Sequence, residues 1–162
     1  CKTLTSLSLK NLDLDEGLLN LDNLKILCSL TIDNVNMCKD GFLMLCDGIS
    51  TCKTLTSLSL KNLDLDEGLL NLDNLYILHS LTIDHVTMCK NGYVILCNSM
   101  SMCKQLCSLS LKNLDLGDGL IRLNNQQILN SMFMCTQLKH RKLIDHKLGD
   151  GNPIWTICLD LN

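Results

Sequence analysis

Aromatic side chains are scarce in this chain, which holds one Trp, two Tyr and two Phe among 162 residues. Binding hot spots favour Trp, Tyr and Arg, so a surface drawn from this composition has few such anchors to offer. Proline occurs once, and the 46% hydrophobic content is mostly Leu, a skew that points to a repeated packing unit. Long apolar runs are missing as well. The longest hold four or five residues, as in Tyr93-Val94-Ile95-Leu96-Cys97, against the ~20 needed to span a bilayer. Charge of one sign never accumulates: 14 basic and 17 acidic residues leave a net charge of -3, and the most basic stretch is Lys139-His140-Arg141-Lys142. Nucleic acid and anionic membrane are therefore poor partners. The four histidines, His79, His85, His140 and His146, form no H-x-x-x-H pair, and no C-x-x-C occurs, so the ligand spacings of a zinc site are absent.

What the chain has in quantity is itself. Residues 1–51 and 52–102 align without a gap and differ at twelve positions: Lys25/Tyr76, Cys28/His79, Asn34/His85, Asn36/Thr87, Asp40/Asn91, Phe42/Tyr93, Leu43/Val94, Met44/Ile95, Asp47/Asn98, Gly48/Ser99, Ile49/Met100 and Thr51/Met102. A third copy starts at Cys103 and runs recognisably through Gly119. Each unit contains two smaller ones, because L-x-x-L-x-L-x-x-x-x-L falls at Leu4, Leu7, Leu9 and Leu14 and returns at Leu27, Leu30, Ile32 and Met37. The modules are alternately 23 and 28 residues long, inside the roughly 20–29 of leucine-rich repeats.

In physical terms the L-x-L segment is a short strand whose leucines enter the core while the residues between them face the other way. The 28-residue module continues with Gly41, Leu45 and Ile49 at four-residue spacing, a helical face behind the strand. The 23-residue module has Leu18, Leu21 and Leu24 for its far side, enough for a short helix or a 3₁₀ turn. No module buries its leucines alone, so stability must come from stacking on neighbours. The expected fold is an α/β leucine-rich-repeat solenoid, with a curved parallel sheet on the concave side and helices and turns on the convex side. One domain covers 1–162, in modules 4–26, 27–54, 55–77, 78–105, 106–137 and 138–153 with a terminal strand 154–162.

The chain resembles the ribonuclease-inhibitor-like leucine-rich repeats, most closely in 27–54 and 78–105. There Leu27, Leu30, Ile32, Met37, Gly41, Leu45, Ile49 and the Cys52 before Leu55 fall on that family's positions. Asp15-Glu16-Gly17 and Gly117-Asp118-Gly119 are similar to its strand-to-helix turn. Alternating module lengths and cysteine-bearing frames are most similar to the repeat arrays of nucleotide-binding leucine-rich-repeat receptors, although no G-x-x-x-x-G-K-[ST] segment is present here. One departure stands out. Where the family places Asn or Cys, three residues past the last strand leucine, this chain has Leu12, Val35, Leu63, Val86 and Leu114, with Asn11, Asn34, Asn62 and Asn113 one residue earlier.

Of eleven cysteines, eight recur at fixed places in the frame: Cys1, Cys52, Cys103 and Cys135; Cys38 and Cys89; Cys46 and Cys97. Equivalent ones lie two modules apart, about 9–10 Å in a stacked array and beyond the ~7 Å Cα limit of a disulfide. Reduced core thiols, and with them a cytoplasmic location, are expected. Because the sequence opens at Cys1 inside a repeat, without an initiator Met, a truncated N-terminal end is expected too.

The pattern frays after Gln126. Module six carries Arg141 and His146 at normally apolar positions, and the segment Ile154, Ile157, Leu159, Asn162 begins only 16 residues after Leu138. It reads either as an irregular terminal strand with Trp155 covering the open end or as the product of a deletion.

The outward face can be read from the same frame. One row is Ser8, Thr31, Ser59, Thr82, Ser110, Lys142, a carpet of hydroxyls. The next is Lys10, Asp33, Lys61, Asp84, Lys112, Ile144, Asp160, with opposite charges alternating about 4.8 Å apart. That ladder reads either as a self-neutralising device for strand order and solubility or as a charged docking strip. Tyr76, His79, His85 and Tyr93 add larger amphipathic side chains in the second copy, either as drift after duplication or as a partner-specific patch. Asp13, Asp15, Glu16 and their copies repeat identically, whereas a catalytic site is assembled once. The expectation is a non-catalytic protein–protein interaction scaffold without a cofactor, which also self-associates through uncapped solenoid ends. The alternatives are a regulator of an enzyme, of the inhibitor or GTPase-activating type, which would need a placed Arg where only Arg122 and Arg141 exist, and a fragment of a larger receptor without activity of its own.

Overall fold

The structure, a computed structural model, describes residues 3–14, 21, 24–65, 69–114, 140–144, 146–148, 152–154 and 157–160, with side-chain surroundings up to residue 114, Lys90 excepted. Asp15-Glu16-Gly17, Gly117-Asp118-Gly119, Leu18 and Trp155 lie outside the described residues. The Ser-Leu-Ser-Leu-Lys and Ser-Leu-Thr-Ile-Asp segments, alternating with period two, form strands β1 (Ser6–Asp13), β2 (Ser29–Asn36), β3 (Ser57–Asp64), β4 (Ser80–Thr87) and β5 (Ser108–Lys112). Two helices interrupt them, α1 (Lys39–Thr51) after β2 and α2 (Lys90–Met100) after β4. Four short strands follow, β6 (His140–Ile144), β7 (His146–Leu148), β8 (Asn152–Ile154) and β9 (Ile157–Asp160).

The class is α/β. β1 to β6 lie side by side in chain order, each pair parallel, and β9 adds antiparallel to β6 while β7 and β8 form a separate two-stranded antiparallel pair. The register repeats without slip: Ser6, Ser29, Ser57, Ser80 and Ser108 occupy one row, and Leu7, Leu30, Leu58, Leu81 and Leu109 the next. Leu30, Ile32, Leu58, Leu60, Leu81, Ile83, Leu109 and Leu111 are buried in one core with Leu45 and Ile49 of α1 and Leu96 of α2. Covering each such side chain stabilises it by about 1.5–3 kcal/mol relative to exposure. Burial depends on having a neighbour: Leu12 of β1, which has a partner on one side only, is 38% exposed, whereas its equivalent Leu63 is 4% exposed.

The helical face expected from Gly41, Leu45 and Ile49 is present, and it also includes Phe42, Cys46 and Gly48. Gly48 makes a close approach, a Cβ there standing 3.0 Å from that of Leu21, while the second copy accommodates a buried Ser99 at the same place. The 23-residue modules take the turn of the two expected forms. Their far side is built from turns among the described residues, with Leu75 N–H donating to Leu72 O at 2.8 Å and Leu78 N–H to Leu75 O at 3.0 Å, and the same bonds recur at Leu24 and Leu27. Leu70, Leu72, Leu75 and Leu78 are buried while Leu69 is exposed. Spacings of two, three and three residues direct those leucines inward from consecutive turns, and the side chain of Asn71 accepts from Asp73 N–H at 2.8 Å to help shape the bend. Long modules are thus strand and helix, and short ones strand and turns.

The end of the sheet departs from expectation. Lys142 does follow Ser110, and Ile144 follows Lys112. Asp160, however, does not continue that row, because β9 runs antiparallel and sets Asp160 opposite His140 and Ile157 opposite Leu143. The expected single terminal strand over 154–162 is instead the end of β8 followed by β9. Between β6 and β9 the chain forms the antiparallel β7–β8 pair, not a crossover helix that would return it parallel.

Candidate functional site

Helices and turns pack against one face of the sheet, leaving the other to solvent. On the open face the rows are those set by register: Ser6 to Ser108, then Ser8, Thr31, Ser59, Thr82 and Ser110, then Lys10, Asp33, Lys61, Asp84 and Lys112. Lys10 is exposed and the other four charged residues are half-buried.

These charges do not neutralise one another in pairs. Among the described residues no Lys–Asp ion pair forms in the row. The aspartates are instead engaged by asparagines from the next strand: Asn62 Nδ2 donates to Asp33 Oδ1 at 2.7 Å, and Asn113 Nδ2 donates to Asp84 Oδ1 at 3.0 Å. Asn34 Nδ2 donates to Asn11 Oδ1 at 2.9 Å, which extends the same ladder across the first pair of strands. His85 Nδ1 lies 2.9 Å from Asp84 Oδ1 and 3.3 Å from Asn113 Nδ2.

The ladder explains the displaced asparagines. Asn11, Asn34, Asn62, His85 and Asn113 have φ of 51°, 52°, 50°, 51° and 47°, the left-handed region that Asn and His enter more readily than most residues. One left-handed residue shifts the in–out alternation by one place, so the next residue turns back into the core. Val35, Leu63, Val86 and Leu114 are accordingly buried. Because β1 to β4 carry the same device, β1 with β2 and β3 with β4 stay in register beyond it, as Leu12 opposite Val35 and Leu63 opposite Val86 show. The pattern of Asn before an apolar residue was visible in the sequence, but its cause, a backbone angle, was not.

Of the residues singled out in the second copy, His85 stands beside the charged row with 63% of its side chain exposed. Tyr76 and His79 lie apart from it, in the turns leading into β4. Tyr76 is 52% exposed, while His79 Nδ1 is tied to Ile77 O at 2.6 Å, replacing a bond that Cys28 Sγ makes to Ile26 O at 3.4 Å. Tyr93 corrects the expectation of a surface residue: it is 2% exposed and occupies the core position of Phe42. Its hydroxyl is enclosed without a well-formed hydrogen bond. Burial first, and the neighbouring Cys97 thiol second, hold its proton on well above the ordinary phenol range.

None of the eight described cysteines is in a disulfide, and Cys46, Cys52, Cys97 and Cys103 are buried. Burial, then the charge of Asp47, pushes the Cys46 thiol up to about 12, so it is protonated and unreactive at neutral pH. Among the described residues no group of three His, Cys, Asp or Glu could hold a metal ion, and no helix is long and apolar enough to cross a membrane. A shallow cleft of about 440 Å³ opens on the turn side of the first copy, lined by Leu21, Leu24, Lys25, Thr51, Cys52 and Lys53. In comparisons with known proteins, no family model, no curated protein and no solved structure matches this chain.

Proposed function

We propose that the chain is a leucine-rich-repeat solenoid of ribonuclease-inhibitor-like type that serves as a non-catalytic scaffold for binding another protein, with the open sheet face as its concave binding surface. The observation that carries this reading is the unbroken register of β1 to β5, which sets ten Ser and Thr hydroxyls and five charged side chains on one uncovered face. Small side chains allow close approach of a partner, and the charged row supplies orientation more than affinity. Buried and half-buried thiols outside any disulfide fit a reducing compartment, and we place the protein in the cytoplasm on that ground. The half-exposed edge of β1 makes end-to-end self-association part of the proposal, to be read from the concentration dependence of sedimentation.

Ser59→Arg and Thr82→Arg, which fill the open face, test the reading against Asn98→Arg on the exposed side of α2. Binding proteins captured from cell extract should be lost with the first two and kept with the third. Equal capture by all three contradicts it.

A second reading is favoured by one observation. Tyr76 and Met102 are 52% and 45% exposed, and they stand where Lys25 and Thr51 line a common cleft in the first copy. This gives the second copy an exposed aromatic and thioether pair on the turn edge, the type of group that anchors partners. Reverting both, Tyr76→Lys with Met102→Thr, would abolish capture under this reading and leave it intact under the first.

A further inference from the structure

We propose, resting on the open face being the binding face, that its occupant is an α-helix of a partner protein laid across the strands, with acidic and basic side chains alternating once per half heptad along the side that meets the sheet.

Three observations support this occupant. Lys10, Lys61 and Lys112 stand on alternate strands of one row, and among the described residues none of the three is held in an ion pair. Asp33 and Asp84, the carboxylates between them, each accept at Oδ1 from an asparagine of the next strand, with His85 Nδ1 also 2.9 Å from Asp84 Oδ1. The row therefore presents a fixed alternation of charge, with like charges about 9.6 Å apart and opposite ones about 4.8 Å apart.

A helix repeats the same pattern. Seven residues advance it about 10.5 Å and half a heptad about 5.2 Å. Over the four spacings from Lys10 to Lys112 the mismatch accumulates to only ~2 Å, within the reach of Lys, Glu and Arg side chains. An extended peptide does not fit, because its same-face side chains repeat every ~6.7 Å, which matches neither spacing. A nucleic-acid strand would set phosphates against Asp33 and Asp84. The protein's own helices lack the pattern too: α1 carries Lys39, Asp40 and Asp47, and α2 carries Lys90 alone as a charged residue. Beside the charged row, two rows of Ser and Thr leave room for a helical cylinder.

Two fluorescein-labelled helical peptides of 22 residues test the proposal against the full chain by fluorescence anisotropy at low salt. One places Glu at every seventh position with Lys midway between, and the other has the same composition with its acids in one half and its bases in the other. The alternating peptide should bind on the order of tenfold more tightly, the product of several exposed pairs each contributing little. Lys61→Glu with Lys112→Glu should remove that preference, and the neutral pair Lys61→Gln with Lys112→Gln should reduce it, circular dichroism confirming that each variant is folded. Equal binding of the two peptides, no binding of either, or a preference that survives the Lys→Glu changes would overturn the helix. Capture lost with Ser59→Arg and Thr82→Arg would then still support the scaffold, so the two failures are distinguishable.

Discussion

Replacing Tyr93 by Phe should stabilise the protein. The Tyr93 ring is 2% exposed, and its hydroxyl is enclosed without a well-formed hydrogen bond. An unsatisfied buried polar group costs about 1–3 kcal/mol, while removing the oxygen keeps the ring and opens almost no cavity. The equivalent position of the first copy already holds Phe42 at 7% exposure, so the surrounding helix and strands accept the smaller side chain without rearrangement. The net gain expected for Tyr93→Phe is about 1 kcal/mol, with the Cys97 thiol offsetting part of the larger figure. The reverse change, Phe42→Tyr, should destabilise by about 1–3 kcal/mol. Urea unfolding followed by circular dichroism measures both, and the comparison is valid only where the slope with denaturant is unchanged. A Tyr93→Phe variant that unfolds at lower urea would refute the reasoning, because it would mean that the hydroxyl is well bonded in the folded protein.

Alkaline pH should weaken the fold through Cys46. Its folded pKa, about 12, lies above the ordinary 9.0, so its contribution is complete below pH 9 and declines as pH rises toward 12, by about 1.4 kcal/mol per unit. Cys46→Ala should flatten that part of the stability–pH curve, and a curve unchanged by the substitution would count against the burial. Gly48→Ala should leave stability within about 1 kcal/mol of the parent, because the 3.0 Å contact of the Cβ with Leu21 is set against a gain of roughly 1 kcal/mol in helix propensity, and the second copy holds a buried Ser99 at the same place; a loss of several kcal/mol would count against this balance. At the left-handed position, Asn62→Val should cost about 1–2 kcal/mol more than Asn62→Gly, because both lose the bond to Asp33 but only Val is strained at a φ of 50°; equal midpoints for the two variants would contradict a left-handed backbone there.

The strand rows were legible in the sequence because a period of two sorts side chains between faces, and the gapless copies fix how far apart equivalent residues fall. Thr31 opposite Ser59 and Asp33 opposite Lys61 needed nothing more. The helix behind β2 was legible from Gly41, Leu45 and Ile49. Other features depend on quantities a residue pattern does not carry. Asn34 and His85 hold a left-handed angle, and only coordinates reveal that this angle returns Val35 and Val86 to the core. The turns of the short modules depend on bonds such as Leu72 O with Leu75 N–H, and spacings of two and three residues are compatible with either a turn or a short helix. The charged row was placed correctly from Lys10 to Ile144 but not at Asp160, and its pairing differs, because Asn62 and Asn113 compete with lysine for the aspartates through shorter and stiffer side chains. Tyr93 reads as a surface addition because its hydroxyl is polar, and its burial follows from standing where the first copy holds the buried Phe42.

Thr31, Ser59, Thr82 and Ser110 share one row only if the modules stack in a single parallel register, and oxidative cross-linking tests this most directly. Thr31→Cys with Ser59→Cys places two thiols on adjacent strands, about 4.8 Å apart at Cα and within disulfide range, whereas Ser59→Cys with Ser110→Cys places them two strands apart, about 9.6 Å and out of range. Mild oxidation followed by peptide mass spectrometry should find the 31–59 disulfide and no 59–110 disulfide. Efficient 59–110 cross-linking, or none between 31 and 59, would contradict the register on which the binding face depends.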